Sequence, residues 1–186
     1  MSAATELKTD PQSYLKQERL SKEKHEFINH EIFAMSGASA THNLIVLNIG
    51  AELRSQLKQG PCLTYPSDLR VQVADNYVYP DISVVCEKPE FIDQDNLLNP
   101  QIIIEVLSPS TADYDRGGKF ALYRQLGSLQ EYLLVAQDRP YIEHYVRQDT
   151  HSWLLNEYQG LETILTLPSL QCQLALNEVY AKVVWE

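Results

Sequence analysis

Glu105 stands inside QIIIEVLSPS, residues 101–110, where three isoleucines, a valine and a leucine favour the protein interior. An ionised carboxylate moved there without a partner costs roughly several kcal/mol. Strand periodicity turns Ile102, Ile104 and Val106 one way and Ile103, Glu105 and Leu107 the other. Upstream, in YVYPDISVVC, Asp81 is opposite in phase to Ile82 and Val84 and also leaves the aliphatic face. Two carboxylates on neighbouring strands converge, repel each other and require a cation between them. Hard oxygen ligands with no His or Cys cluster nearby favour Mg²⁺ or Mn²⁺ over zinc. Lys119 follows on the next element, one helical turn beyond Asp115, with Gly117 and Gly118 between them. Each glycine there costs roughly 1 kcal/mol relative to alanine, so close approach of a neighbour or ligand is the expected reason for the pair.

Plainer readings exist for each residue. Glu105 can belong to a buried salt bridge with an arginine or with Lys119. Asp81 follows Pro80 and suits a turn or strand entry. Asp115 and Lys119 have the spacing of an ordinary i,i+4 ion pair, worth roughly a few tenths of a kcal/mol.

The elements that must position these residues read as follows. PQSYLKQERLSK, residues 11–22, is a short polar helix capped by Asp10. HEFINHEIFAM forms two strands turning at Asn29 and His30. Residues 39–59 are the longest helix, with Ile45, Ile49, Leu53 and Leu57 stepping by four and Gly60–Pro61 as its stop. LRVQVAD is a half-exposed strand, YVYPDISVVC a second strand and IIIEVLS a third, buried on both faces. A helix over 112–126 follows, then strands EYLLVAQ, YIEHYVR and HSWLLNEYQ, and a short helix in LNEVYAKVV. Strands flanking the 112–126 helix require a crossover, and hence a mixed sheet.

Composition bounds the function. The 186 residues suit one domain with a real core; 44% hydrophobic and 22% charged residues are ordinary globular values. No signal-peptide core or spanning segment is present, so the expected location is cytoplasmic. Cys62, Cys86 and Cys172 are odd in number and widely spaced, which fits reduced thiols used as apolar fillers. A net charge of −10 opposes nonspecific adhesion to nucleic acid, although carboxylates gathered around a cation still make a phosphate-binding centre.

PDISVV, EVLSPST, the spacing Asp115, Lys119, Tyr123 and the strand EYLLV together closely resemble the Uma-type family of PD-(D/E)XK nuclease-like proteins. HEFINHEIFAMSGASATHN resembles that family's paired-glutamate hairpin and helix-start histidine, and the likeness runs from about residue 23 to about 147. The resemblance implies a single-domain α/β, restriction-endonuclease-like fold: a mixed β-sheet flanked by helices over 23–186, preceded by a helical extension over 1–22. It makes Asp81 and Glu105 metal ligands, Glu26 the first-strand glutamate and His42 the helix-start histidine; Tyr123, a turn after Lys119, is more readily a core-edge tyrosine than a substrate contact. Asn29 and His30 replace the Asp-Gly usual in the hairpin, and Leu107 occupies the position of the superfamily lysine. Lys119 is the nearby lysine able to replace it.

The resulting expectation is a Mg²⁺- or Mn²⁺-dependent endonuclease with Asp81, Glu105 and Lys119 as catalytic residues, DNA as substrate and a homodimer as the working form. The competing expectation is a non-catalytic binding or assembly module on the same fold. A salt-bridge network with no ligand is a third reading.

Overall fold

The computed structural model of the chain describes residues 9–185. Helix α1 (Pro11–Glu18) is capped by the Asp10 side chain and inserts Tyr14 and Leu15 beside Phe27 and Tyr77. Strands β1 (His25–Ile28) and β2 (Glu31–Ala34) form a hairpin whose turn residues, Asn29 and His30, both have positive φ, as a two-residue turn demands. Helix α2 (Ala40–Leu57), capped by Ser39, buries Ile45, Ile49, Leu53 and Leu57 at the expected four-residue step.

Then come β3 (Leu63–Pro66), β4 (Arg70–Val73), β5 (Asn76–Val78), β6 (Ile82–Val85), β7 (Phe91–Ile92), β8 (Asn96–Leu97) and β9 (Ile102–Leu107). After the helical run 112–123 follow β10 (Glu131–Ala136), β11 (Tyr141–Arg147), β12 (Trp153–Gln159), β13 (Ile164–Leu167), β14 (Cys172–Ala175) and a short helix over Leu176–Val179. One six-stranded sheet has the order β2-β1-β5-β4-β8-β7; a second has the order β12-β11-β10-β9-β6-β3, with β9 and β10 parallel across the helical crossover. The fold is a mixed α/β single domain in which a few helices flank mixed sheets.

The second sheet has a core on each face. Ile102, Ile104 and Val106 face α2, joined by Ile82 and Val84. Ile103 and Leu107 face the helical run and the first sheet, among Phe120, Tyr123, Tyr132, Val71 and Val78. Strand period two therefore sends Glu105 toward this second core, between the two sheets.

Three expectations are corrected. YVYPDISVVC is two strands in two sheets, because Pro80 has no N–H for a ladder and the preceding Tyr79 N–H donates to Glu26 Oε1 at 3.0 Å. The 112–126 helix is α3 (Ala112–Tyr114), a π turn (Asp115–Lys119) and α4 (Phe120–Tyr123). Cys62 and Cys86 are a disulfide rather than two thiols, since antiparallel pairing of β3 with β6 brings their ends together; Cys172 alone is free and buried. β3, β7, β8, β13 and β14 were not expected from the sequence at all; two of them have only two residues, too few for a periodic signal.

The bridge spans 24 positions, so chain entropy assigns it about 3 kcal/mol of stability. Urea unfolding with and without reductant should show that loss, and a Cys62→Ser, Cys86→Ser double variant should be insensitive to reductant. An equal midpoint for the wild type under both conditions contradicts the assignment.

Candidate active site

Register brings the two carboxylates together. β6 pairs antiparallel with β9, Ile82 opposite Ile104, and continuing that register by one residue sets Asp81 opposite Glu105. β6 has ended there, and the Asp81 side chain takes over the ladder: its Oδ2 accepts from Val106 N at 2.8 Å, while Asp81 N lies 3.4 Å from Glu105 Oε2. His42, in the first turn of α2, places Nε2 3.1 Å from the same Asp81 Oδ2. Its Nδ1 is buried and has no partner among the described residues.

Lys119 reaches Glu105 from the helical run. Its ammonium is 3.0 Å from Glu105 Oε1, 3.1 Å from Glu26 Oε1 and 3.9 Å from Asp115 Oδ1. The π turn is what buries Asp115 and Lys119 side by side; such i→i+5 turns recur at functional sites. A Cβ at Gly118 would meet the Tyr114 ring at 2.7 Å and displace it, whereas one at Gly117 would meet nothing within 4 Å. Tyr123, one turn after Lys119, is fully buried and donates to Glu105 Oε1 at 2.9 Å. Its hydroxyl holds the glutamate and does not reach solvent.

Asp81, Glu105, Lys119, Glu26, His42 and Tyr123 thus form one connected cluster. Asp115 is a seventh member that the sequence suggested only as a surface ion-pair partner; the repeat of four through Asp115, Lys119 and the buried Tyr123 was the signal for it. The cluster opens to solvent on one side, where the Asp81 and His42 side chains are 16% and 13% exposed against 7% for Lys119. The surface clefts at Asn29–His30–Asn76 and at Glu87–Gln101–Ser128 lie elsewhere.

One ammonium shared by three carboxylates, with Asp81 beyond it, leaves surplus negative charge. Burial pushes the Glu105 carboxyl well above the ordinary range; Lys119 opposes this and Asp81 adds to it. Burial also raises Asp115, again opposed by Lys119. Burial lowers the pKa of Lys119, but Glu105, Glu26 and Asp115 outweigh it and keep the ammonium charged.

Among the described residues no three His, Cys, Asp or Glu side chains form a ready-made metal cage. Mg²⁺ does not need one: it binds through one or two carboxylates and retains water. Asp81 Oδ1 accepts no hydrogen bond among the described residues, and Glu105 Oε2 has only the long one from Asp81 N. Two hard oxygens on adjacent strands, backed by excess negative charge, fit such a cation.

Two outcomes test this electrostatic picture. Lys119→Met strands three buried carboxylates and should cost about 3–5 kcal/mol in urea unfolding, with part of the loss restored by adding Glu105→Gln. For pH, folded-state pKa values of Glu105 and Asp115 lie above their unfolded values, so the native chain binds more protons and stability falls as pH rises from about 4.3. In the absence of divalent ions the urea midpoint should drop between pH 5 and pH 8, and Glu105→Gln should flatten that slope; a midpoint that rises would contradict the raised pKa values.

The structure resembles that of "a putative nuclease belonging to DUF820" from Anabaena variabilis, with a TM-score of 0.78 at 18% identity, over 95% of this chain and 99% of the other. That likeness concerns the fold. In sequence the chain is 37% identical to the uncharacterized protein slr1290 of Synechocystis sp., covering 93% of this chain and 92% of the relative. It is 40% identical to a second protein of that organism, the uncharacterized protein sll1609, over 79% and 85% of the two chains. The Uma2 model, described as "Putative restriction endonuclease", matches residues 11–177, and the chain belongs to the Uma2 family.

Proposed function

We propose that the protein is a divalent-metal-dependent endonuclease that hydrolyses DNA phosphodiester bonds at the Asp81–Glu105 site. The observation that carries this reading is the pairing of Asp81 with Glu105 across β6 and β9 at the edge of a cluster holding four carboxylates and one ammonium. Family membership and the nuclease-like fold support it. Asp81 and Glu105 would hold Mg²⁺ or Mn²⁺, which when bound polarises a phosphate and lowers the pKa of a water.

The chain's own groups have definite tasks in this scheme. Val106 N and His42 Nε2 fix one oxygen of Asp81 and leave the other for binding. Tyr123 and Lys119 fix Glu105 Oε1 in the same way. Ligands held by such neighbours keep their orientation and lose less entropy on binding. With three carboxylate neighbours and little exposure, Lys119 in this proposal holds Glu105 and offsets the cluster's charge. Glu26 joins it from β1 and closes the gap left at Tyr79 N.

The second reading, a binding or assembly module that does no hydrolysis, is favoured by the same burial of Lys119 and by Leu107 at the usual lysine position. A cleavage assay decides between them. With Mg²⁺ or Mn²⁺, the wild type should nick DNA and Asp81→Asn should lower the rate by at least about a hundredfold, the order of loss when a group that stabilises developing charge is removed. Cleavage of equal rate in the variant would overturn the assignment.

A further inference from the structure

Two aromatic rings stand in the open beside the buried cluster. Phe33 is the cross-strand partner of Glu26 in the β1–β2 hairpin, so its side chain leaves the sheet on the face from which Glu26 reaches Lys119. It is 47% exposed. Tyr114 immediately precedes Asp115, its ring lies against the bare Cα of Gly118, and it remains 38% exposed. Burial raises its hydroxyl pKa to about 12, with Glu26 adding to the shift, so this ring too sits in the field of the cluster. Neither ring belongs to a hydrophobic core, and each leaves a face open beside residues of the cluster.

Cations on the same elements are already engaged. Lys24, just before β1, pairs with Asp68; Arg116 pairs with Glu143 at 2.8 Å; Lys119 is buried among carboxylates. With a net charge of −10, phosphate attraction is a poor source of affinity for this rim. Ring faces are the remaining source, and a ring face can be used only by a base that is not stacked in a duplex.

We infer that Phe33 and Tyr114 are base-stacking residues and that the site takes single-stranded DNA, or an unpaired flap or end, in preference to continuous duplex. The inference rests on the nuclease reading and narrows its substrate class. Just before Tyr114 in the chain, the 108–111 turn presents Ser108, Ser110 and Thr111; Ser110 Oγ and Thr111 Oγ1 lie 3.0 and 2.9 Å from Ser108 Oγ, and such hydroxyls can bond sugar or phosphate oxygens without a net charge.

The test is fluorescence anisotropy with a labelled oligonucleotide, single-stranded or annealed to its complement, with Ca²⁺ present in place of Mg²⁺. Wild type should bind the single strand at least tenfold tighter than the duplex. Phe33→Ala and Tyr114→Ala should each weaken single-strand binding about tenfold, Tyr114→Phe should restore it, and thermal melts should show all three folded. Equal or tighter binding of the duplex, or alanine variants that bind the single strand like wild type, would overturn the inference. Failure of the nuclease reading has a different signature: single-strand preference and its dependence on the two rings would persist while no Asp81-dependent cleavage is seen.

Discussion

The contact on which the site depends is the Lys119 ammonium held among Glu26, Glu105 and Asp115. It ties together three parts of the chain distant in sequence: the first hairpin, the central strand β9 and the π turn. Without it, Glu105 would be an unpaired charge between the two cores, which is the situation its apolar surroundings forbid. With it, the charge is only partly balanced, because a single cation cannot satisfy three carboxylates and Asp81 as well. Among the described residues the cluster is most open to solvent at Asp81 and His42, and carboxylates perturbed by burial and by one another are a common feature of functional sites.

Backbone features follow from that constraint. Glu26 supplies an acceptor to Tyr79 N where Pro80 ends the ladder, so the break that frees Asp81 from a regular strand is closed by a member of the site. Asp81 in turn accepts from Val106 N where β6 has stopped. The carboxylates are therefore part of the sheet's hydrogen bonding, and the site cannot rearrange without cost to the strands that hold it. On the far side of β9, α2 packs Ile45, Ile49 and Leu53 against Ile102, Ile104 and Val106 and fixes the strand's orientation. The same helix presents His42 to Asp81 at its first turn.

Much of this was legible in the sequence. Alternation in residues 102–107 gave the face of Glu105, the phase of Asp81 relative to Ile82 and Val84 gave the matching face, and spacing put Lys119 one turn from Tyr123. Glu26 and His42 came from family likeness, because neither has a local pattern that points to chemistry. What escaped were features set by long-range pairing or by uncommon backbone geometry. The division of residues 77–86 between two sheets depends on which strands recruit them, and the Cys62–Cys86 bridge depends on the β3–β6 register. Burial of Asp115 depends on a π turn, which helical spacing rules do not anticipate.

In the proposed function a divalent cation completes the charge balance that Lys119 leaves incomplete among Glu26, Glu105, Asp115 and Asp81. Titration of the metal-free protein with Mn²⁺ by calorimetry measures this directly. One saturable site that disappears in Glu105→Gln, while the variant still unfolds cooperatively, is the predicted result; wild-type protein that takes up no Mn²⁺, or binding left intact by Glu105→Gln, would contradict it.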